Sequence, residues 1–208
     1  DYFAETLLLS TGANSRTLDI PGEVEYTGRG VSYCATCDGH FFQGKDVMVV
    51  GGGDSALEEG LFLTRFAKSV TIVHRRAELR AGKLLQDRAF NDPKVSFIWD
   101  STLTEIVGEG IVQNVKVQNL KTGEEREMPT DGVFIFIGHI PNTELYLGKL
   151  EMDDQGYVVI DKYMQTSIPG VYAAGEVADS HFRQVITSAG MGAAAAMQAI
   201  HFLENQIQ

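Results

Sequence analysis

The sequence predicts an α/β fold organised around a parallel sheet, and three observations carry that expectation. Val47-Met48-Val49-Val50 is a continuous apolar run, too short for a helix and suited to a parallel strand buried on both faces, and Val70-Thr71-Ile72-Val73 reads as the next strand. Between them, Ala56, Gly60, Leu63 and Ala67 place small or apolar residues at helical spacing over residues 56–67. The turn Gly51-Gly52-Gly53, followed by Asp54-Ser55, leads from the first strand into that helix. Strand, helix and strand together have the length that parallel pairing requires.

The remaining elements follow in chain order. Residues 6–9 form an apolar run ending in Ser10-Thr11-Gly12-Ala13, which reads as a buried strand and a tight turn. Pro21, Gly22, Gly28 and Gly30 mark a loop region. Residues 83–91 read as a helix that stops near Asn91-Asp92-Pro93. Residues 95–99, 110–118, 125–128 and 133–137 read as strands, with Lys121-Thr122-Gly123 as the turn between the second and the third. Residues 157–160 suit an edge strand or hairpin arm, and residues 170–174 a short strand. The Ala-rich stretch from about Gln184 to Leu203 reads as a helix. Within it, Gly190-Met191-Gly192-Ala193 follows no strand and marks a small helix face suited to close packing.

Composition narrows the function classes. The chain has 208 residues, 44% of them hydrophobic and 22% charged, which is ordinary globular usage. A net charge of −11 makes it a poor general partner for nucleic acid, whose binding leans on Lys and Arg. No run approaches the roughly 18 apolar residues of a membrane span. The opening residues carry no basic segment and no small-residue cleavage site, so no secretory signal is expected. Cys34 and Cys37 are the only cysteines, which excludes a multiply stapled secreted fold and a four-cysteine zinc site.

Gly51-Gly52-Gly53-Asp54-Ser55-Ala56 is a G-x-G-x-x-A turn between a strand and a helix, the setting in which that pattern signals dinucleotide binding. Gly51 permits the tight turn, Gly53 lets backbone approach a pyrophosphate, and Ala56 lets helix and strand pack closely. The next strand ends in His74-Arg75-Arg76, with Arg80 close by, where a fold of this kind for NADH would carry an acidic residue on the ribose. Forked guanidinium groups suit the 2′-phosphate of NADPH. Cys34-x-x-Cys37 could be a redox dithiol, half of a metal site with His40, or two inert thiols. A nicotinamide site alongside favours the redox dithiol. Asp38, directly after the second thiol, is positioned as a proton donor to a leaving thiolate or as a turn residue before Gly39.

Residues 34–39 (Cys-Ala-Thr-Cys-Asp-Gly), 51–56, 74–76, 138–143 (Gly-His-Ile-Pro-Asn-Thr), 170–176 (Gly-Val-Tyr-Ala-Ala-Gly-Glu) and 183–190 (Arg-Gln-Val-Ile-Thr-Ser-Ala-Gly) stand in one order and spacing. In these six motifs the chain resembles the low-molecular-weight, bacterial-type thioredoxin reductases, of the class II pyridine nucleotide-disulfide oxidoreductase type. The resemblance implies a Rossmann-like NADPH domain inserted in a discontinuous FAD domain. Residues 1–18 are then a remnant of the FAD domain, 19–137 the NADPH domain with its CxxC, and 138–208 the C-terminal FAD part. It implies hydride transfer from NADPH to FAD, then electrons to the Cys34/Cys37 disulfide and on to thioredoxin. Cys37 would face the flavin, Cys34 would attack the partner disulfide, and Asp38 would be the general acid. Gly51, Gly53, Asp54, Ser55, Ala56, His74, Arg75, Arg76 and Arg80 would hold NADPH. Thr11, Gly12, Ala13, Gly175, Glu176, Arg183, Gln184 and Val185 would hold FAD. A cytoplasmic homodimer, a domain rotation with hinges near 14–30 and 130–138, and no bound metal, nucleic acid or membrane complete the expectation.

Three features depart from the family pattern. No counterpart of the family's opening strand, G-x-G-x-x-G turn and helix precedes Asp1. Glu176 stands where the family usually has Asp, and Ala77-Glu78 where it often has an Asp and another residue. Two alternatives accompany the main reading. One is a hydroperoxide-reductase flavoprotein subunit, against which Arg75 and Arg76 argue. The other is an NADPH-binding module without flavin turnover.

Overall fold

The computed structural model describes residues 3–206. The chain divides into two compact units, residues 1–14 with 139–208, and residues 15–138.

The first unit begins with β1 (Leu7–Leu9) and β2 (Ala13–Ser15), the latter running into the chain crossing. In the second unit come β3 (Val31–Ser32), α1 (Ala35–Asp38), β4 (Asp46–Val50), α2 (Asp54–Leu63), β5 (Ser69–Val73), α3 (Lys83–Asn91) and β6 (Val95–Ile98). Then follow β7 (Ser101–Glu109), β8 (Ile111–Asn119), β9 (Glu125–Pro129) and β10 (Gly132–Ile135). The chain returns to the first unit through β11 (His139–Pro141), β12 (Val171–Ala173) and α4 (Val185–Gln206).

The second unit is built on a five-stranded parallel sheet in the order β3-β10-β4-β5-β6. Because side chains alternate along a strand, β4 feeds two cores at once. Val47 and Val49 pack with Leu57, Leu63, Ile72, Ala89 and Phe134 under the helices. Met48 and Val50 pack with Val73, Leu103, Ile106, Val115 and Val117 against the antiparallel sheet β7-β8-β9. Both faces of β4 are therefore covered, which explains why Val47–Val50 reads as an unbroken apolar run.

The first unit holds two smaller ladders, parallel β1-β12 and the pair β2-β11. Helix α4 packs on it through Ala195, with Tyr172 and Ala174 beneath.

Several expectations are corrected. Of the strand expected to be buried at residues 6–9, only Leu9 is buried, because β1 pairs on one side alone; Leu7 is 51% exposed. The strand β7 is one the sequence does not predict, because register shifts between Leu103 and Glu105 and between Val107 and Gly108 break its alternation. Residues 157–160 form no strand. Only a single bridge, Met152 to Val158, is present, because the Asp153 carboxylate accepts from the Gln155 and Tyr157 amides and turns the chain. The helix begins at Asp54 as expected but ends at Leu63, short of Ala67. Gly190 and Gly192 face open space among the described residues rather than a close neighbour. Finally, α4 is long and apolar enough to span a membrane by length and composition alone, with a mean hydropathy of 1.2. Its uncharged Ala, Gly and Met residues reach that value although Gln198 and His201 interrupt the apolar run.

Candidate functional site: a glycine turn, an arginine loop and a disulfide

Gly51 ends β4 at φ 151°, and its backbone hydrogen would have no room to become a methyl group. A Cβ there would lie 2.4 Å from the Phe136 carbonyl and 2.7 Å from the Ala56 methyl. The turn and the helix start are thus packed as closely as the sequence pattern requires. Gly53 has no heavy atom within 4 Å of its would-be Cβ and caps α2 in an extended conformation, so its backbone is open to an approaching ligand. Two backbone amides at the start of the next segment, Arg80 N at 2.7 Å and Ala81 N at 3.2 Å, donate to the Gly52 carbonyl. The Asp54 carboxylate accepts from Gly82 N at 2.7 Å. Asp54 therefore ties the arginine loop to the glycine turn, while Ser55 is exposed on the first turn of α2.

His74 is 4% exposed and points inward. Its Nε2 lies 3.0 Å from the Glu78 carbonyl, and a Cβ on Gly52 would lie 2.3 Å from its Nδ1. Burial pushes its pKa down. The Glu78 carbonyl pulls the other way, and the neighbouring arginine charges add to the downward shift. Arg75, Arg76 and Arg80 are exposed. None of them pairs with a carboxylate among the described residues. A hollow of about 320 Å³ is lined by residues 76–80. The structure gathers the glycine turn and the arginine loop on the carboxyl ends of β4 and β5, where folds of this kind bind ligands.

Cys34 and Cys37 form a disulfide across the start of α1. Cys37 and Thr36 are exposed, Cys34 half-buried. Cys37 N lies 3.1 Å from Cys34 Sγ. Ser32, 5% exposed, organises the far side: its hydroxyl donates to Asp38 Oδ2 at 2.6 Å and accepts from Cys34 N at 3.1 Å. Glu59 on α2 accepts from Ala35 N at 3.0 Å. Burial raises its pKa, while the Ala35 and Thr36 amides act to lower it. Buried Glu23 receives the Tyr33 hydroxyl at 2.8 Å together with the Leu18 and Asp19 amides. Burial and that carboxylate push the Tyr33 phenol well above its usual range.

In the first unit, Asp179 shapes the loop before α4. Its carboxylate accepts from the amides of His181, Phe182 and Arg183 and lies 3.3 Å from the Thr187 hydroxyl. Burial opposes ionisation there, but these donors outweigh it and hold the carboxyl below its usual range. Arg183 sits at φ 51°, and its Nε is buried without a partner among the described residues. An orphaned donor of this kind fits a polar ring or anionic group bound beside it. Gly175, at φ 80°, is buried after β12 with Glu176 half-buried behind it. Its carbonyl accepts from the Ala178 and Asp179 amides. Gln184 and Val185 open α4, with Val185 89% exposed. Thr11 donates to the Asn142 carbonyl at 2.7 Å, and Gly12 at φ 71° precedes Ala13 in β2.

Gly52, Ser32, Glu59 and Asp179 were not singled out from the sequence. Gly52 carried a faint signal as the middle residue of the triple glycine. The others are ordinary polar residues whose contacts form only in the fold.

The glycine turn, the basic loop and the two-cysteine disulfide thus lie together in one parallel-sheet unit. The pyridine nucleotide-disulphide oxidoreductase family model matches residues 1–194, and the chain belongs to that family. Thioredoxin reductase of Streptomyces coelicolor is 51% identical over 201 residues, which cover 96% of this chain and 62% of its own length. The Listeria monocytogenes thioredoxin reductase is 51% identical over 204 residues, 98% of this chain and 64% of its own length. The crystal structure of thioredoxin reductase from Streptococcus pyogenes superposes with a TM-score of 0.92 at 51% identity, covering 96% of this chain and 66% of that one. The chain thus spans somewhat under two thirds of the length of several curated relatives it matches.

Proposed function

We propose that the chain carries the NADPH-binding and dithiol parts of a thioredoxin reductase. The observation that carries the reading is the Cys34–Cys37 disulfide held beside an Asp38 carboxyl in the same unit as a glycine turn and three unpaired arginines. The near-50% identity to thioredoxin reductases supports the choice of thioredoxin as partner. In this reading residues 19–137 are the NADPH domain, and residues 1–18 and 138–208 belong to the FAD domain.

Gly51, Gly53 and Ala56 admit the pyrophosphate to the start of α2, with Asp54 and Ser55 on its first turn. Arg75, Arg76 and Arg80 take the 2′-phosphate, and His74 shapes the turn behind them. Thr11, Gly12, Ala13, Gly175, Glu176, Arg183, Gln184 and Val185 would hold FAD, the unpartnered Arg183 Nε being a donor free to meet it. FAD supplies the conversion of a hydride from NADPH into two electrons for the disulfide. Cys37, the more exposed residue of the pair, would stand on the flavin side; Cys34 attacks the disulfide of thioredoxin, and Asp38 protonates the leaving thiolate. The homodimer, the cytoplasmic setting and the absence of membrane and nucleic-acid partners belong to the same proposal, carried by the resemblance to the family.

The test is a trapping experiment. With Cys37→Ser, Cys34 attacking thioredoxin should accumulate as a mixed disulfide, and with Cys34→Ser it should not. Equal trapping by the two variants would overturn the assignment of roles.

A further inference from the structure

The four residues of α1 carry the disulfide, and the carboxylate of Glu59 reaches across from α2 to the amides at their start. Ala35 N, the amide adjoining Cys34, donates to Glu59 Oε2 at 3.0 Å, and Thr36 N adds to the same carboxylate. In dithiol proteins whose N-terminal cysteine is acidic, amides of this kind and nearby positive charge stabilise its thiolate. Here a side-chain carboxylate engages those amides and sets a negative charge one residue from Cys34.

We infer that Glu59 is a positioning residue that holds the Cys34 thiol at or below its ordinary acidity and so keeps the reduced pair a strong electron donor. The inference deepens the proposed function, since a pair that must reduce another protein's disulfide is best served by a disfavoured thiolate. When a dithiol reductant opens the disulfide, the sulfur–sulfur bond takes two electrons and two protons and the reductant closes to its own disulfide. One protein thiol can then lose its proton to solvent. Whatever stabilises that thiolate pulls the equilibrium toward the dithiol and makes the pair more oxidising. Glu59 acts in the opposite sense. The other charged groups on the elements packed there are Asp38 on α1, His40 on the turn that follows, and Asp54 and Glu58 on α2. Of these, Glu58 is exposed and is the natural control.

The test uses the Cys37→Ser protein, in which Cys34 is the one thiol, and follows its alkylation by iodoacetamide against pH. The midpoint should lie at or above about 8.5, the ordinary cysteine value. Adding Glu59→Gln should lower it by about one unit, the low end of what one nearby charge does, which raises the thiolate fraction at pH 7 about eightfold. Glu58→Gln should leave it within a few tenths of a unit. In the protein with both cysteines, Glu59→Gln should shift the equilibrium with dithiothreitol at pH 8.5 about fivefold toward the dithiol, about 20 mV. A midpoint below pH 7.5 with Glu59 intact would overturn the inference, and that measurement needs no Glu59 variant to fold. So would an unchanged midpoint in a folded Glu59→Gln protein, or an equal shift from Glu58→Gln. None of these readouts uses thioredoxin, NADPH or flavin, so failure of the proposed function would show separately, as absent thioredoxin reduction.

Discussion

Gly52 and the His74 imidazole share one small volume: a Cβ on Gly52 would lie 2.3 Å from His74 Nδ1. The glycine in the turn and the buried ring at the end of β5 are therefore one feature. Gly52→Ala should cost about 1–3 kcal/mol, the usual range for overpacking. Gly52→Ala combined with His74→Ala should lose less than the sum of the single changes by about 0.5 kcal/mol or more. Urea unfolding of the four proteins checks this, and strict additivity would contradict it.

The same ring gives a pH dependence. Its folded pKa is depressed, by burial first and the arginines second. The unfolded chain therefore binds the proton more readily. The stability from neutral His74 is complete above the unfolded value of about 6.5 and is lost as pH falls from there toward the folded value. His74→Gln should flatten the fall in unfolding free energy between pH 7.5 and 5.5. An unchanged slope would mean that His74 is not the titrating group.

Arg75, Arg76 and Arg80 are exposed and free of carboxylate partners among the described residues. Each charged hydrogen bond to a phosphate contributes about 1.5–3 kcal/mol. Arg75→Ala with Arg76→Ala should weaken NADPH binding by at least about tenfold and leave NADH binding nearly unchanged. Calorimetric titration with both nucleotides decides it, and equal losses for the two would remove the assignment.

Ser32 joins Asp38 to the backbone of Cys34 through one hydroxyl. If Asp38 is the general acid, Asp38→Asn should slow thioredoxin reduction by about 10²–10⁴. Ser32→Ala should slow it by a smaller factor and shift its pH profile, since the carboxyl loses the hydroxyl that orients it. A Ser32→Ala protein with the parent rate and profile would show that this contact orients nothing the reaction uses.

Much of this was legible in the sequence for physical reasons. β4 declares itself because burial of Val47–Val50 on both faces admits only apolar residues. The glycine turn is legible because Gly51 has no alternative beside Phe136 and Ala56. What was not legible depends on distance across the fold. The strand β7 is hidden by its two register shifts. Glu59 and Ser32 lie 24 residues from Ala35 and six from Asp38, and nothing in their types marks them before α1, α2 and β3 are placed. His74 reads as a phosphate ligand beside two arginines, yet it is buried and bonded inward, because the end of β5 turns it under Gly52.

In the proposed function, electrons from NADPH reach thioredoxin through Cys34 and Cys37. The most direct test of this route follows NADPH absorbance anaerobically in the flavin-loaded protein with oxidised thioredoxin, beside the Cys34→Ser variant. The parent should show steady, thioredoxin-dependent oxidation and the variant none above background. Turnover of thioredoxin by Cys34→Ser at the parent rate would contradict it.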